Sequence, residues 1–176
     1  MATQPGNGPT TRLRLCGDRV LLDVAGGIAS PESATLDAGS LQRMLAHLGH
    51  APPTAAQLES AIQQIEDDLM PALRSLPDDG RLVTSAPAFW EVVTVAGRGG
   101  SPEVELDRAT VERLFNRLAD AAYGVPAARS GMPVHRSFAA VVLLLREILH
   151  HGGFDSVRVT QPAPTPDDCV PGRRPP

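Results

Sequence analysis

Apolar residues recur along this chain in two periods. In residues 12–24 they alternate with polar ones on either side of Gly17-Asp18, which predicts two strands joined by a short turn. "ATLDAGS" (34–40) predicts a third strand. From Ser40, a good helix cap, the period changes: Leu41, Met44, Leu45 and Leu48 fall on one helical face that Gly49 ends. Thr54 and Gln57 form a capping box ahead of a longer stripe of Leu58, Ile62, Ile65, Leu69 and Leu73, with Pro71 expected to kink or end that helix. Residues 81–85 follow a Pro-Asp-Asp-Gly turn and predict a strand. "FWEVVTV" (89–95) and "PEVEL" (102–106) flank a Gly-rich turn at 97–100 and predict a second hairpin, with a helix as the alternative for the first of the two. Asp107 caps a helix over 108–123 that turns Val111, Leu114, Phe115 and Leu118 inward and stops at Gly124. Ser137 begins the most apolar helix, which runs to Gly152-Gly153. Being apolar nearly all round, it predicts the buried centre of the domain. Residues 156–160 supply a last strand, and no repeat of solenoid period occurs.

This alternation over 176 residues suits one α/β domain over residues 11–160, with disordered, Pro- and Gly-rich ends at 1–10 and 161–176. Hydrophobic residues make up 42% and aromatic ones 3%, so the core is aliphatic and no ring platform for stacking bases is available. The formal charge is -4 and every basic residue is arginine, without a basic run, which speaks against a nucleic-acid partner. Arg12, Arg14 and Arg19 are expected on a solvated hairpin face. Cys16 and Cys169 are expected as free thiols in a reducing compartment. The longest apolar run, 138–145, is too short for a membrane span, and no secretory leader is visible at the first residues, so a cytoplasmic protein is expected.

Few stretches carry chemistry. Asp23-Val24-Ala25-Gly26-Gly27 follows a strand and has the parts of a phosphate loop, glycine amides and a carboxylate for magnesium, and equally the parts of a plain turn. His150 and His151 are adjacent on a helix and point about 100° apart, so they are assigned to the helix C-terminus rather than to a metal, as are His47 and His50. Glu66-Asp67-Asp68 is read as a solvated helix face and Asp78-Asp79 as a turn. No nucleophile-elbow motif surrounds Ser85 or Ser130, and no catalytic residue is assigned.

The order of these pieces resembles the second half of the exopolyphosphatase/guanosine pentaphosphate phosphatase (Ppx/GppA) family, within the actin, Hsp70 and sugar-kinase fold superfamily. Residues 35–77 are similar to the family's S-L-x-x-G strand end, short helix, D-P-P-T-like spacer and long helix. "GRLVTSAPAFWEVV" stands where the family has a strand and a Gly-Gly-Thr phosphate loop. Residues 105–160 resemble its L-x-R-x-x-V-E-x-L helix, its G-[LM]-x-P-x-R-A-D loop, its buried helix and its closing strand. The resemblance implies a mixed β-sheet packed by α-helices, half of an actin-like domain.

The departures bear on function. The family's water-activating carboxylate belongs to a first subdomain for which this length leaves no room. Its D-x-G-G-G-S-T-E loop matches Asp23 to Ile28 only without the third glycine and the Ser-Thr-Glu portion. A second register through Gly6, Gly8 and Thr10 loses both acids. The second phosphate loop has become Thr84-Ser85-Ala86-Pro87-Ala88, without glycine and with a proline that lacks an N–H. In the third loop Gly131, Met132 and Arg136 match, while Phe138 replaces the acid, and the family's terminal G-L-R-x-G segment is absent after Thr160. The expectation is therefore a catalytically degenerate half-domain serving as an interaction or regulatory module, with a protein partner or a second copy of itself, no cofactor and no membrane. The competing expectation is a phosphoanhydride hydrolase or binder for polyphosphate or guanosine penta- or tetraphosphate. In that case Asp23 holds magnesium, and Gly26, Gly27, Thr84 and Ser85 contact phosphate.

Overall fold

The Gly17-Asp18 turn forms as expected, with Gly17 at φ 59° in the left-handed region that glycine enters at no steric cost. It joins β1 (Thr10–Cys16) to β2 (Arg19–Ala25) in an antiparallel register running from Thr10 opposite Ala25 to Cys16 opposite Arg19. A computed structural model describes residues 8–25, 34–77, 80–126 and 131–162. β3 (Ala34–Ser40) pairs antiparallel with β2 at one edge. On the other side of β1, β4 (Arg81–Thr84) and then β6 (Ser156–Thr160) lie parallel to it, and β5 (Glu103–Asp107) closes the far edge antiparallel to β6. The sheet has six strands in the order β3-β2-β1-β4-β6-β5.

The helices among the described residues are α1 (Leu41–His47), α2 (Ala55–Leu73), α3 (Pro87–Val95), α4 (Arg108–Ala122) and α5 (Arg136–His151). Ser40 caps α1, Asp107 caps α4, and Thr54 with Gln57 forms the complete capping box of α2. Three expectations are corrected. Residues 89–95 form helix α3, not a hairpin strand, and β5 pairs instead with β6, fifty residues further on in sequence. Pro71 does not end α2, which runs on to Leu73. Its ring removes one intrahelical bond, the one an N–H at 71 would donate to the carbonyl of Asp67, and two helical residues still follow it. The last helix begins at Arg136 with His135 as its cap, not Ser137: His135 Nδ1 accepts the Phe138 N–H at 3.1 Å.

Helix α5 is the expected centre, with Phe138 through Leu145 all buried. It touches α1, α2, α3 and α4, so all five helices share one side of the sheet. Strand burial follows suit. Leu13, Val20, Leu22, Ala38, Leu82, Leu106, Val157 and Val159 point into the core, while their sequence neighbours point the other way. The result is two layers, helices on a sheet, with the outer sheet face uncovered by any described element.

Candidate functional site

That uncovered face carries charge in register. The pairings Thr35–Asp23, Asp23–Arg12, Arg12–Val83, Val83–Arg158 and Arg158–Glu105 place these six residues in one row across every strand. At one end of the row, Val83, Arg158 and Glu105 line a shallow hollow of ≈ 120 Å³ together with Arg81 and Ser156. The Ser156 hydroxyl donates to Glu105 Oε1 at 2.5 Å, and Arg158 Nε lies 3.5 Å from Glu103 Oε1.

Within this face Asp23 is held tightly. Arg14 donates from Nε to Asp23 Oδ2 and from Nη2 to Oδ1 at 3.1 Å, and Thr35 Oγ1 donates to Oδ1 at 2.7 Å. The two side chains are 16% and 29% exposed. Burial pushes the Asp23 carboxyl up, but the Arg14 and Thr35 hydrogen bonds and the Arg14 and Arg12 charges outweigh it and hold the group below its ordinary 3.8. Arg14 is thus an ion-pair partner rather than part of a merely solvated face, and Arg19 similarly donates to Asp37 Oδ2 at 2.7 Å. Magnesium fits poorly here. A cation at Asp23 would have to displace a bidentate guanidinium that already supplies the positive charge and both hydrogen bonds.

The phosphate candidates do not converge. Asp23 shares the outer face with Arg12. Thr84 pairs with Leu13 two strands away from β2, points into the helical layer and is 1% exposed. Gly26 and Gly27 lie outside the described residues, as do Gly6, Asp78, Asp79, Ser130 and Cys169. Thr84 and Ser85 lead into α3. The Ala86 N–H is spent on Thr84 Oγ1 at 3.2 Å, Pro87 has no N–H, and the Phe89 N–H turns inward to the Ala86 carbonyl at 3.0 Å. An anion arriving there meets few free amides.

Several engaged residues escaped the sequence reading. Asp18 receives the Ser40 hydroxyl at 2.6 Å and the Gln42 N–H, and its carbonyl accepts the Leu41 N–H at 2.7 Å, so the hairpin turn itself caps α1. Asp68 is not on a solvated face. Its side chain is 9% exposed, bound to Arg43 at 3.1 Å and packed against Gly39. His50 lies beyond α1 and meets Gln57 Nε2 at 2.8 Å rather than the helix end. Glu91, His135 and Ser137 form a chain of contacts at 3.0 and 2.8 Å that superficially suits nucleophile activation. However, His135 Nδ1 also accepts the Phe138 N–H, and the histidine is half exposed, so the group works as a helix cap.

No protein-family model matches this chain, and no curated protein matches it in sequence. Solved structures do match its fold. Against the PPX-GPPA enzyme of Aquifex aeolicus the TM-score is 0.66 at 13% identity, over 90% of this chain and 55% of that one. An exopolyphosphatase from Cytophaga hutchinsonii gives 0.63 at 14% identity, over 88% and 54%. An exopolyphosphatase-like protein gives 0.61 at 14% identity, over 92% and 57%. The fold is therefore the expected Ppx/GppA type, and the chain spans about half the length of these proteins. Among the described residues no helix is long and apolar enough to cross a membrane.

Proposed function

We propose that this chain is a Ppx/GppA-like half-domain that acts as an interaction or regulatory module and does not itself turn over phosphoanhydrides. The observation that carries the reading is the outer face of the six-stranded sheet, which no described element covers. A sheet covered on one side leaves its other side for a partner, and here Asp23, Arg12, Arg158 and Glu105 set both signs of charge in one row across it. A face bearing both signs suits a partner of like pattern, a second copy of this chain or a complementary half-domain, better than a polyanion. The lack of turnover follows from the parts. Phosphoryl transfer needs an anion cradle, a metal and a positioned water together. Asp23 is committed to Arg14, and in the 84–88 loop the Ala86 amide is spent on Thr84 while Pro87 has none to offer.

A second reading draws support from the exopolyphosphatases among the fold neighbours: binding or hydrolysis of polyphosphate or guanosine penta- or tetraphosphate, with magnesium at Asp23. Two measurements decide between them. Sedimentation of the full chain is expected to show self-association, or a stable complex with a separately produced first half-domain, that Arg12→Glu with Arg158→Glu abolishes. Calorimetry with magnesium and each phosphate ligand is expected to show no heat that Asp23→Ala removes, and no orthophosphate release. Release by the isolated chain overturns the module reading and supports the second.

A further inference from the structure

The C-terminal turn of α5 meets α2 at a group of side chains on the helical layer, away from the bare sheet face. Glu147 sits in α5 and is 1% exposed, a position a carboxylate almost never occupies without compensation. Its Oε1 accepts from Arg146 Nη1, while its Oε2 faces His151 Nε2 at 3.2 Å, one helical turn further on. From α2, Glu66 brings Oε1 to 3.3 Å from the same imidazole nitrogen. The three donor atoms all lie within 4.8 Å of one another.

Two features of this group point to a cation. The first is length. Nitrogen and oxygen ligands about 2.0–2.1 Å from a tetrahedral zinc ion stand roughly 3.3 Å from each other. Two edges of the Glu147–His151–Glu66 triangle already have that length, and Glu66, partly exposed, is free to close the third. The second is charge. Arg146 is shared: its Nε donates to Glu112 Oε1 at 3.0 Å and its guanidinium lies 4.4 Å from the centre of the Phe115 ring. Glu112 and Glu147 both bind the Arg146 guanidinium while Glu66 and Glu147 both face His151, so three carboxylates share the charge of one guanidinium, an excess of two negative charges beside a buried group when His151 is neutral. A proton on Nε2 cancels one of these charges, and a divalent ion cancels both. His150, the next residue on the helix, is not among these three donors, and its ring stands edge-on to that of His151 at 87°.

We propose that Glu66, Glu147 and His151 bind one divalent transition-metal ion, zinc by ligand type, clamping the end of α5 to α2. Two carboxylates and an imidazole suit zinc better than magnesium, and the fourth position stays open to water. The test is calorimetric titration of zinc into the full chain after dialysis against chelator, near neutral pH, alongside thermal melting. One ion per chain is expected, with a raised melting temperature. Affinity should fall by about 100-fold or more in His151→Ala and at least about tenfold in Glu66→Gln, since even outer-shell changes cost 10–100-fold. His150→Ala should bind as the parent does. Both positions substituted are partly exposed, so these variants are expected to fold, as circular dichroism would verify. Absence of saturable one-site binding in the parent, or undiminished binding in His151→Ala, overturns the proposal and leaves an imidazolium bridging two carboxylates.

Discussion

Gly39 tests how the β3 edge is locked to α2. Its φ is 111°, a conformation L-residues rarely adopt, and a Cβ placed there would stand 2.6 Å from Asp68 Cβ and 2.9 Å from Asp68 Oδ2. Gly39→Ala therefore meets two costs. The backbone conformation is worth about 1–2 kcal/mol. The contact is with a Cβ on a helix rather than a flexible tip, and α2 has little room to retreat because Ile65 and Leu69 beside it are fully buried against the core. Overpacking of that kind costs about 1–3 kcal/mol. The sum is roughly 3 kcal/mol. Gly97→Ala is the control: its φ is 71° but nothing lies within 4 Å of its added Cβ, so only the backbone cost of about 1 kcal/mol applies. In urea unfolding followed by far-UV circular dichroism, with an m-value of about 2 kcal/mol/M, the midpoint should fall by about 1.5 M for Gly39→Ala and about 0.5 M for Gly97→Ala. If the two variants unfold together, the close approach of Asp68 is refuted. If neither differs from the parent, the backbone argument fails as well.

Other outcomes follow from the same geometry. The carboxyls of Asp23, Asp37 and Asp107 are all held below 3.8, Asp37 chiefly by the Arg19 hydrogen bond and Asp107 by Thr110. Groups lowered in the folded state stabilise it above their unfolded value and cease to do so as pH falls through the folded one, so melting temperature should drop from about pH 5 to about pH 2. Asp23→Asn should flatten part of that slope. Thr54→Ala opens the capping box of α2 and should cost about 1 kcal/mol in chemical denaturation. Leu144→Ala, at the fully buried middle of α5, should cost about 3 kcal/mol, and a loss under about 1 kcal/mol would contradict the placing of that helix at the core.

Much of the fold was legible because it is written in short-range chemistry. Ser40, Thr54 and Asp107 carry oxygens that satisfy amides three residues on, whatever the rest of the chain does. The alternation about Gly17-Asp18 and the unbroken apolar run of α5 likewise need no distant partner to be recognised. Residues 89–95 were ambiguous for a physical reason. A short apolar run suits a buried strand and a buried helix alike, and which one forms depends on whether a neighbouring strand is free to pair. The neighbour expected for residues 89–95 was β5, and tertiary structure pairs it with β6 instead.

The candidate site was less legible because it depends on facing. Whether Asp23 meets a phosphate or Arg14 is decided by which side of the sheet each points to, and whether Asp68 is solvated or buried depends on how closely Gly39 lets β3 approach α2. Sequence alone determined α1, α2 and α4 with their caps, the apolar body of α5 and the aliphatic core, since those follow from propensity and periodicity within a few residues. Only the tertiary structure decided that none of the described elements covers one sheet face and that Glu66, Glu147 and His151 meet, because such placements are set by strand register and helix packing between residues far apart in the chain.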